Sequence, residues 1–304
     1  MLQTTVITRV TAACLLAFTL SAAHASTGRS AFQVDFKTIN GYMAIVPVSI
    51  NGSGPLNFLL DTGTSRTMVS AGPAEQLALR AVDTRVIVGI RGEATTLLAH
   101  CNSVSMGGAT VLNLDLTVLP KESGLPSSLS GILGEDFLEN FDMLIDNRHH
   151  KIRLQSGSDT LEDSLAGERL PIRLDGVMDG QPTIGRLIVE GRSPELSRNA
   201  VTLLLDSGAS SLVWFRGPQS LGIGAVEQSY LIAIASKPSN PVTVTTKVLR
   251  QLRVGSTVVP NVMAVAPPAR PGADTDGLLP TSLFGSIFIS HSQKFVIFDP
   301  STKR

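Results

Sequence analysis

The chain has 304 residues, of which 43% are hydrophobic and 16% charged, and its 25 basic residues balance its 25 acidic ones. A chain of this length forms one large domain or two modest ones, and either can bury a real core. Nucleic-acid binders usually carry a basic face, so a formal net charge of zero argues against nucleic acid as a partner.

The first 25 residues have the pattern of a signal segment. Arg9 carries its only Lys, Arg, Asp or Glu charge, residues 10–23 are apolar or small, and Ala23-His24-Ala25 fits a small-x-small cleavage site. The apolar run is shorter than the roughly 20 residues that a membrane span needs. We therefore expect a secreted or periplasmic protein that is free of the membrane after cleavage. A retained membrane anchor is the alternative.

Short strands separated by turn signals account for most of the chain, and helical periodicity is scarce. This pattern predicts a mostly β fold. Short helices are predicted at 72–79, at the end of 130–138 and from 276. Strands are predicted at 32–36, 42–50, 57–60, 68–69, 84–90, 94–98, 100–106, 111–119, 143–146, 151–154, 170–174, 183–189, 201–205, 230–235, 242–249, 254–264 and 294–299.

Cysteine and histidine give little sign of a nucleophile or a metal site. Cys101 is the one cysteine after the signal segment, so no internal disulfide can form, and we expect it to be a small buried side chain on a strand. His149 and His150 are predicted to lie in a polar hairpin turn rather than in a metal site. His291 is expected to be solvated or to cap an element. Neither a metal nor a cofactor is expected.

One short pattern occurs twice. Residues 57–65 are Asn-Phe-Leu-Leu-Asp-Thr-Gly-Thr-Ser, and residues 202–210 are Thr-Leu-Leu-Leu-Asp-Ser-Gly-Ala-Ser. In both, an apolar run leads into an Asp and a Thr/Ser-Gly turn. Asp61 precedes Asp206 by 145 residues, and each Asp lies 70 or 71 residues before a Gly-apolar-apolar run that starts at Gly131 or Gly277. The matching separations predict a duplicated structure.

The polar, acidic segment 156–168 is the best linker between the two copies. We therefore expect a signal peptide at 1–25, an N-terminal domain at 26–155 and a C-terminal domain at 169–304.

The repeated Asp residues suggest paired carboxyl chemistry. A carboxylate at the end of an apolar strand is costly to bury unless it is hydrogen-bonded, paired or used. If the copies bring Asp61 and Asp206 face to face, the two cannot both ionise easily, so they share a proton and titrate as a unit. One carboxylate can then act as a general base on water while the other, as an acid, protonates a peptide carbonyl.

The residues around each Asp predict how the turns are built. Gly63 and Gly208 let backbone N–H groups approach the carboxylates, and the hydroxyls of Thr62 and Ser207 are placed to cross-link the turns. Thr64 can also hydrogen-bond Asp61. Ala209, at the matching position, cannot bond Asp206, so we expect Asp61 to ionise more readily and Asp206 to carry the proton more often.

These motifs resemble the retropepsin-like aspartic proteases, and best match their secreted bacterial, single-chain members. In the first half the resemblance is carried by Leu-Leu-Asp61-Thr-Gly-Thr-Ser, the Gly-rich hairpin at 84–98 and Gly131-Ile-Leu-Gly-Glu-Asp-Phe-Leu. In the second half it is carried by Leu-Leu-Asp206-Ser-Gly-Ala-Ser, Gly277-Leu-Leu-Pro and Phe-Val-Ile-Phe. It covers residues 32–154 and 168–299, and implies two closed, pepsin-like β lobes with a central active-site cleft.

The resemblance also implies roles for particular residues. Asp61 and Asp206 would be the catalytic pair, supported by Thr62, Gly63, Thr64, Ser207 and Gly208. Gly89, Ile90, Arg91 and Gly92 would form the tip of a substrate-binding flap, with residues 235–241 as its second-half counterpart. Trp214 and Phe215 are expected in the core, and Pro280 occupies the place of Gly134.

The activity implied is that of a monomeric aspartic endopeptidase that hydrolyses extended protein or peptide substrates. The alternative is a non-catalytic peptide-binding or scaffold module on the same fold.

Overall fold

The computed structural model describes residues 30–302 except 90–91, 122, 157–160, 174–175, 179–180, 184–185, 197, 199, 223–224, 231–241 and 270–272. The α-helices are α1 (Ala71–Gln76) and α2 (Glu135–Leu138), and 3-10 helices lie at Glu162–Ser164, Pro218–Leu221 and Thr281–Leu283. The strands are β1 (Ser30–Asp35), β2 (Lys37–Ile39), β3 (Met43–Ile50), β4 (Ser53–Leu60), β5 (Met68–Ser70), β6 (Arg80–Gly89), β7 (Gly92–Met106), β8 (Ala109–Leu119), β9 (Gly131–Leu133), β10 (Asp142–Asp146), β11 (Lys151–Ser156), β12 (Leu165–Ala166), β13 (Leu170–Pro171), β14 (Gly176–Met178), β15 (Gln181–Thr183), β16 (Ile188–Gly191), β17 (Val201–Asp206), β18 (Leu212–Trp214), β19 (Val226–Tyr230), β20 (Val242–Val254), β21 (Thr257–Ala266), β22 (Gly277–Pro280), β23 (Ser286–Ser290), β24 (Phe295–Phe298) and β25 (Ser301–Thr302).

An eight-stranded sheet in the order β2-β3-β4-β9-β5-β8-β7-β6 contains the first Asp motif. Phe58 and Leu60 of β4 point into the main core, whereas Leu59 packs into a smaller apolar cluster with Ile132 on the other face. Both faces of β4 are therefore apolar, which explains its continuous hydrophobic run. Asp61 is the first residue after this strand.

A seven-stranded sheet in the order β16-β17-β22-β18-β21-β20-β19 contains the second Asp motif. Its centre repeats the first sheet: β22 is parallel to β17, as β9 is parallel to β4, and β18 is antiparallel to β22, as β5 is antiparallel to β9. The repeated sequence pattern thus corresponds to a repeated strand arrangement.

A third sheet, called the central sheet below, has the strand order β1-β11-β10-β23-β24-β13 and contains strands from both halves of the chain. Its middle pair is β10 with β23, where Leu144 lies opposite Phe288. Ile145 and Ile287 of this pair join the same apolar core as the β4 and β17 strands. The two halves of the sequence are therefore joined by backbone hydrogen bonds and by a shared core.

The prediction of a mostly β fold is confirmed, with three differences near the second motif, of which the unpredicted short strand β18 is the first. The helix predicted from residue 276 is wrong, because residues 277–280 form β22 and only the next three residues form a 3-10 turn. Strand β23 was not predicted. All five of its residues are buried, so it lacks the alternation that marks a strand with one solvated face.

The segment 156–168, predicted as a linker, has local structure in its described part. Leu165 of β12 pairs with Thr302 of β25. Leu161 and Leu165 also pack in one apolar cluster with Phe288 and Phe295 of the central sheet. Within the described residues, no helix combines the length and apolar character needed to cross a membrane.

Candidate active site

The two Asp turns lie against each other. A Cβ atom placed on Gly63 would lie 2.5 Å from Cγ of Asp206, and one on Gly208 would lie 3.0 Å from Cγ of Asp61. Neither glycine has a left-handed φ, so it is the close approach of the opposite carboxyl that leaves no room for a side chain. The structure thus brings together the two carboxyl groups that the sequence repeat singled out.

Reciprocal hydrogen bonds cross-link the turns. The Thr62 hydroxyl donates to the Leu205 carbonyl at 3.0 Å and accepts from the Ser207 N–H at 3.1 Å. The Ser207 hydroxyl donates to the Leu60 carbonyl at 2.8 Å and accepts from the Thr62 N–H at 3.0 Å. Both side chains are almost fully buried, with 1% and 3% of their surface exposed. This network fixes the separation of the two Asp backbones.

Replacing Thr62 with Val is expected to lower the free energy of unfolding by about 2–4 kcal/mol, because the buried Ser207 N–H and Leu205 carbonyl each lose a partner. Urea unfolding followed by fluorescence of Trp214 measures this loss. Thr62→Ser, which keeps the hydroxyl, is the control and should retain most of the stability. A Val variant within about 0.5 kcal/mol of the wild type, the range of ordinary surface substitutions, would contradict the expected role.

Each carboxyl is also held by its own turn. The Gly63 N–H donates to Oδ1 of Asp61 at 2.8 Å, and the Gly208 N–H donates to Oδ1 of Asp206 at 2.8 Å. Each carboxyl group also shifts the pKa of the other, so the two groups ionise as a pair. Two carboxyl groups this close cannot both ionise easily, so the pair favours the state in which one of them carries a proton.

Burial raises the pKa of both carboxyl groups. For Asp206 the negative charge of Asp61 adds to burial, so its pKa lies well above the ordinary range. For Asp61 burial is opposed by the Gly63 N–H, the hydrogen bond from Asp206 and the Thr64 N–H. These effects favour Asp206 as the protonated partner, the role expected from the sequence. The cause of this difference is not the one expected from the sequence. Among the described residues, the Thr64 hydroxyl makes no hydrogen bond to Asp61, and each carboxyl group is instead stabilised by backbone N–H groups of its own turn.

The predicted flap lies at the end of the β6–β7 hairpin. Gly89 pairs with Gly92 at the last described position of this hairpin. Ile90 and Arg91 lie outside the described residues, and so does the predicted second-half counterpart at 235–241.

Helix α2 is hydrogen-bonded to the loop that follows Asp61, a role that was not predicted. The Glu135 N–H donates to the Thr64 carbonyl at 3.0 Å. The Thr67 N–H and hydroxyl donate to Oδ1 of Asp136 at 2.8 and 2.6 Å, and the Gly134 N–H donates to the Thr67 hydroxyl at 3.1 Å. The loop after Asp61 is therefore tied to the start of α2 by polar contacts.

The second half replaces these polar contacts with apolar packing. Met68 pairs with Ile132 as Val213 pairs with Leu278, so Leu212 occupies the position of Thr67. Leu212 is fully buried, and Pro280 stands where the first half has Gly134. Proline has no N–H to donate and leucine has no acceptor, so the two differences between the halves compensate each other.

Of the two alternatives expected for His291, solvation is wrong. The residue is 7% exposed, with Nδ1 at 2.7 Å from the Phe141 carbonyl and Nε2 at 2.9 Å from Oε2 of Glu135. The turn after β23 packs against α2 and the residues that follow it, and this contact buries the His291 ring. The only sequence signal was its position directly after an apolar strand.

Cys101 is confirmed as a buried strand residue. It is 1% exposed and donates from Sγ to the Leu114 carbonyl at 3.2 Å. Burial raises the pKa of its thiol to about 11, so the thiolate that a nucleophile requires is disfavoured. Trp214 and Phe215 are buried as predicted.

His149 lies in the β10–β11 turn, with Nδ1 at 2.8 Å from Oδ2 of Asp146. In the part of the chain that the structure describes, no three His, Cys, Asp or Glu side chains are grouped as metal ligands would be.

Comparison with protein families identifies the first motif. Residues 46–137 match a family model described as "Aspartyl protease". The matched segment includes the Asp61 turn, the β6–β7 hairpin and the start of α2, and it supports the family resemblance predicted from the motifs. A comparison with curated proteins found no match.

Proposed function

We propose that this chain, whose residues 46–137 match an aspartyl protease family, is an aspartic endopeptidase that cleaves extended protein or peptide substrates. The observation that carries the proposal is the close approach of the two Asp turns, in which a Cβ atom on Gly63 would lie 2.5 Å from Cγ of Asp206 and one on Gly208 would lie 3.0 Å from Cγ of Asp61. The ionisation of each carboxyl group affects that of the other. A purely structural role would not require two carboxyl groups that oppose each other's ionisation.

The pair supplies both functions that hydrolysis needs. Asp61, as the carboxylate, removes a proton from a water molecule whose oxygen attacks the peptide carbonyl carbon. Asp206 gives its proton to the carbonyl oxygen, which forms a neutral tetrahedral diol. Collapse of the diol breaks the C–N bond, and a proton passes to the departing amine nitrogen. No covalent enzyme intermediate is involved.

The proposal includes a two-lobed arrangement. The N-terminal lobe (26–155) and the C-terminal lobe (169–304), joined through 156–168, would enclose a cleft above the two Asp turns, with the β6–β7 hairpin as its flap. A substrate in such a cleft binds as an extended strand through backbone hydrogen bonds. Because both half-sites lie on one chain, catalysis needs no second copy. The signal pattern at 1–25 supports a secreted or periplasmic location.

A peptide-cleavage assay tests the proposal. The purified chain is incubated with a broad peptide library, with and without a statine-type inhibitor, beside Asp61→Asn and the exposed control Asp35→Asn. We expect turnover by the wild type and the control, inhibition by the statine, and no turnover by Asp61→Asn. Equal turnover by Asp61→Asn would remove the pair from the mechanism. No turnover by the wild type would favour a non-catalytic peptide-binding module.

A further inference from the structure

Two hairpin turns of the central sheet reach across to the opposite half of the chain. Asn147 is the first residue after β10, and His291 is the first residue after β23. In both turns the third residue further on, His150 or Lys294, has a positive φ, 53° and 60° respectively. The two turns therefore occupy equivalent positions in the duplicated structure.

The equivalent contacts differ in chemistry. The Asn147 amide donates to the carbonyls of Thr281 and Phe284 at 3.0 and 2.9 Å, so this contact is neutral at every pH. His291 instead contacts the Phe141 carbonyl and the Glu135 carboxyl, and the side chains of His291 and Glu135 are 3% and 1% exposed. Only the second contact changes its charge with pH.

The hydrogen-bond partners define the proton positions on His291. A carbonyl only accepts, so Nδ1 carries a hydrogen, and Nε2 faces a carboxyl oxygen. Three acidic groups act on the ring or are acted on by it: Glu135 on α2, Glu139 directly after α2, and Asp142 on β10. This arrangement favours the doubly protonated imidazolium.

The electrostatic surroundings act in the same direction. Burial lowers the pKa of His291, but the Glu135 charge and hydrogen bond, the Phe141 carbonyl and Asp142 together raise it above the ordinary value. Burial raises the pKa of Glu135, the charge and hydrogen bond of His291 oppose this rise, and Glu139 and Asp61 add to it. A protonated His291 is therefore the group that favours the Glu135 carboxylate.

The His291 contact is connected to the Asp61 turn. Glu135 accepts from His291 through its side chain and donates to the Thr64 carbonyl through its backbone N–H at 3.0 Å. We propose that protonated His291 is a positioning residue. It holds Glu135 in place, and through the Glu135 backbone it keeps the Asp61 turn at its position opposite Asp206. This inference rests on the proposed protease function, because it assigns His291 to the same site.

The stability that the contact contributes has a defined pH window. A histidine whose folded pKa is raised contributes stability that is fully present below its unfolded value, about 6.5. That stability is lost as the pH rises through the raised folded value, because a neutral ring directs its Nε2 lone pair at the buried Glu135 carboxylate. The wild-type midpoint of thermal unfolding should therefore fall in a step above about pH 6.5, in addition to the fall that ionisation of Asp206 causes. This added fall is the alkaline step of His291.

The test compares His291→Gln with His149→Gln, which removes a histidine from the equivalent turn where its side chain is 70% exposed. Peptide cleavage gives kcat and KM, and thermal unfolding is followed from pH 5 to pH 9. We expect His291→Gln to lower kcat about tenfold with KM within about twofold, because the bound substrate meets a misplaced Asp61. We also expect the alkaline step in the unfolding midpoint to disappear. His149→Gln should change neither quantity.

A second variant covers failure of His291→Gln to fold. In Glu135→Leu/His291→Leu the ion pair is replaced by apolar side chains, a change that buried pairs often tolerate. This double variant should fold, lack the alkaline step and retain the lowered kcat. Wild-type kcat in either variant would overturn the positioning role, and an unchanged alkaline step would overturn the titrating contact. The unfolding measurement needs no catalysis, so absence of peptide cleavage would reject the proposed function without hiding the result for His291.

Discussion

Asp206→Asn is expected to abolish peptide hydrolysis and, near neutral pH, to make the folded chain more stable. The amide cannot donate a proton to a carbonyl as the acid does, so kcat should fall about 10³-fold or more. The stability gain follows from the carboxyl pair, because the negative charge of Asp61 and burial raise the pKa of Asp206 well above its ordinary range.

The sign of the pH dependence follows from linkage. A carboxyl with a raised folded pKa contributes its stability below the unfolded pKa of about 3.9 and loses it as the pH rises through the folded value. Asparagine stays neutral, so Asp206→Asn should match the wild type near pH 4 and exceed it at pH 7 by about 1–3 kcal/mol, since a tenfold change in proton affinity corresponds to about 1.4 kcal/mol. Urea unfolding at both pH values measures the difference.

Asp146→Asn is the matched control because the pKa of Asp146 is lowered by hydrogen bonds from His149 despite the opposing effect of partial burial. A lowered folded pKa contributes stability above the unfolded value, so this variant should be less stable than the wild type at pH 7 and should keep full peptide turnover. If Asp206→Asn were also destabilised at pH 7, the shared proton would be ruled out.

The second large effect is expected from a single added methyl group. In Gly63→Ala, the new Cβ would lie 2.5 Å from Cγ of Asp206 and 2.7 Å from its Oδ2. The Asp206 carboxyl is held by the Gly208 N–H and cannot move away without breaking that bond. The two turns must therefore separate, and we expect kcat to fall about 10²-fold and the free energy of unfolding to fall by about 1–3 kcal/mol.

Two glycine variants calibrate this result. At Gly208 the added Cβ would meet Asp61 at 3.0 Å, so Gly208→Ala should have a smaller effect in the same direction. At Gly72, in α1, nothing lies within 4 Å, and Gly72→Ala should keep full activity with a stability gain of up to about 1 kcal/mol. Steady-state kinetics on one peptide ranks all three. A Gly63→Ala variant as active as Gly72→Ala would mean that the carboxyl pair does not need its close approach.

The sequence was sufficient to predict the Asp turns because the residues that form each turn are adjacent in the chain. An apolar run, an Asp and a Thr/Ser-Gly pair occur within a few residues of each other, and their repetition after 145 residues points to a second copy. The hydroxyls of Thr62 and Ser207 were placed correctly for the same reason: each is adjacent to its Asp, and the twofold relation of the copies supplies the partner.

The contacts beneath the turns could not be predicted in this way. Glu135 and His291 are 156 residues apart and belong to opposite copies, so no local pattern joins them. Strand alternation shows which face of a sheet a residue takes, but all five residues of β23 are buried, so the strand before His291 carries no such signal. The comparison that would have helped is between the copies, since His291 and Asn147 each directly follow an apolar strand of the central sheet.

The loops that follow the two Asp turns are no longer interchangeable. In the first half Thr67 accepts the Gly134 N–H, and in the second half Leu212 stands beside Pro280, which has none. Changing only Thr67 would leave a buried N–H without its partner, and changing only Gly134 would force a side chain into the backbone of Arg66, 2.5 Å away. If the same site were formed by two identical subunits, replacing both Thr67 and Gly134 in the sequence would change both loops at once. A single chain that contains both copies can differ on one side alone, and here one loop is polar and the other apolar.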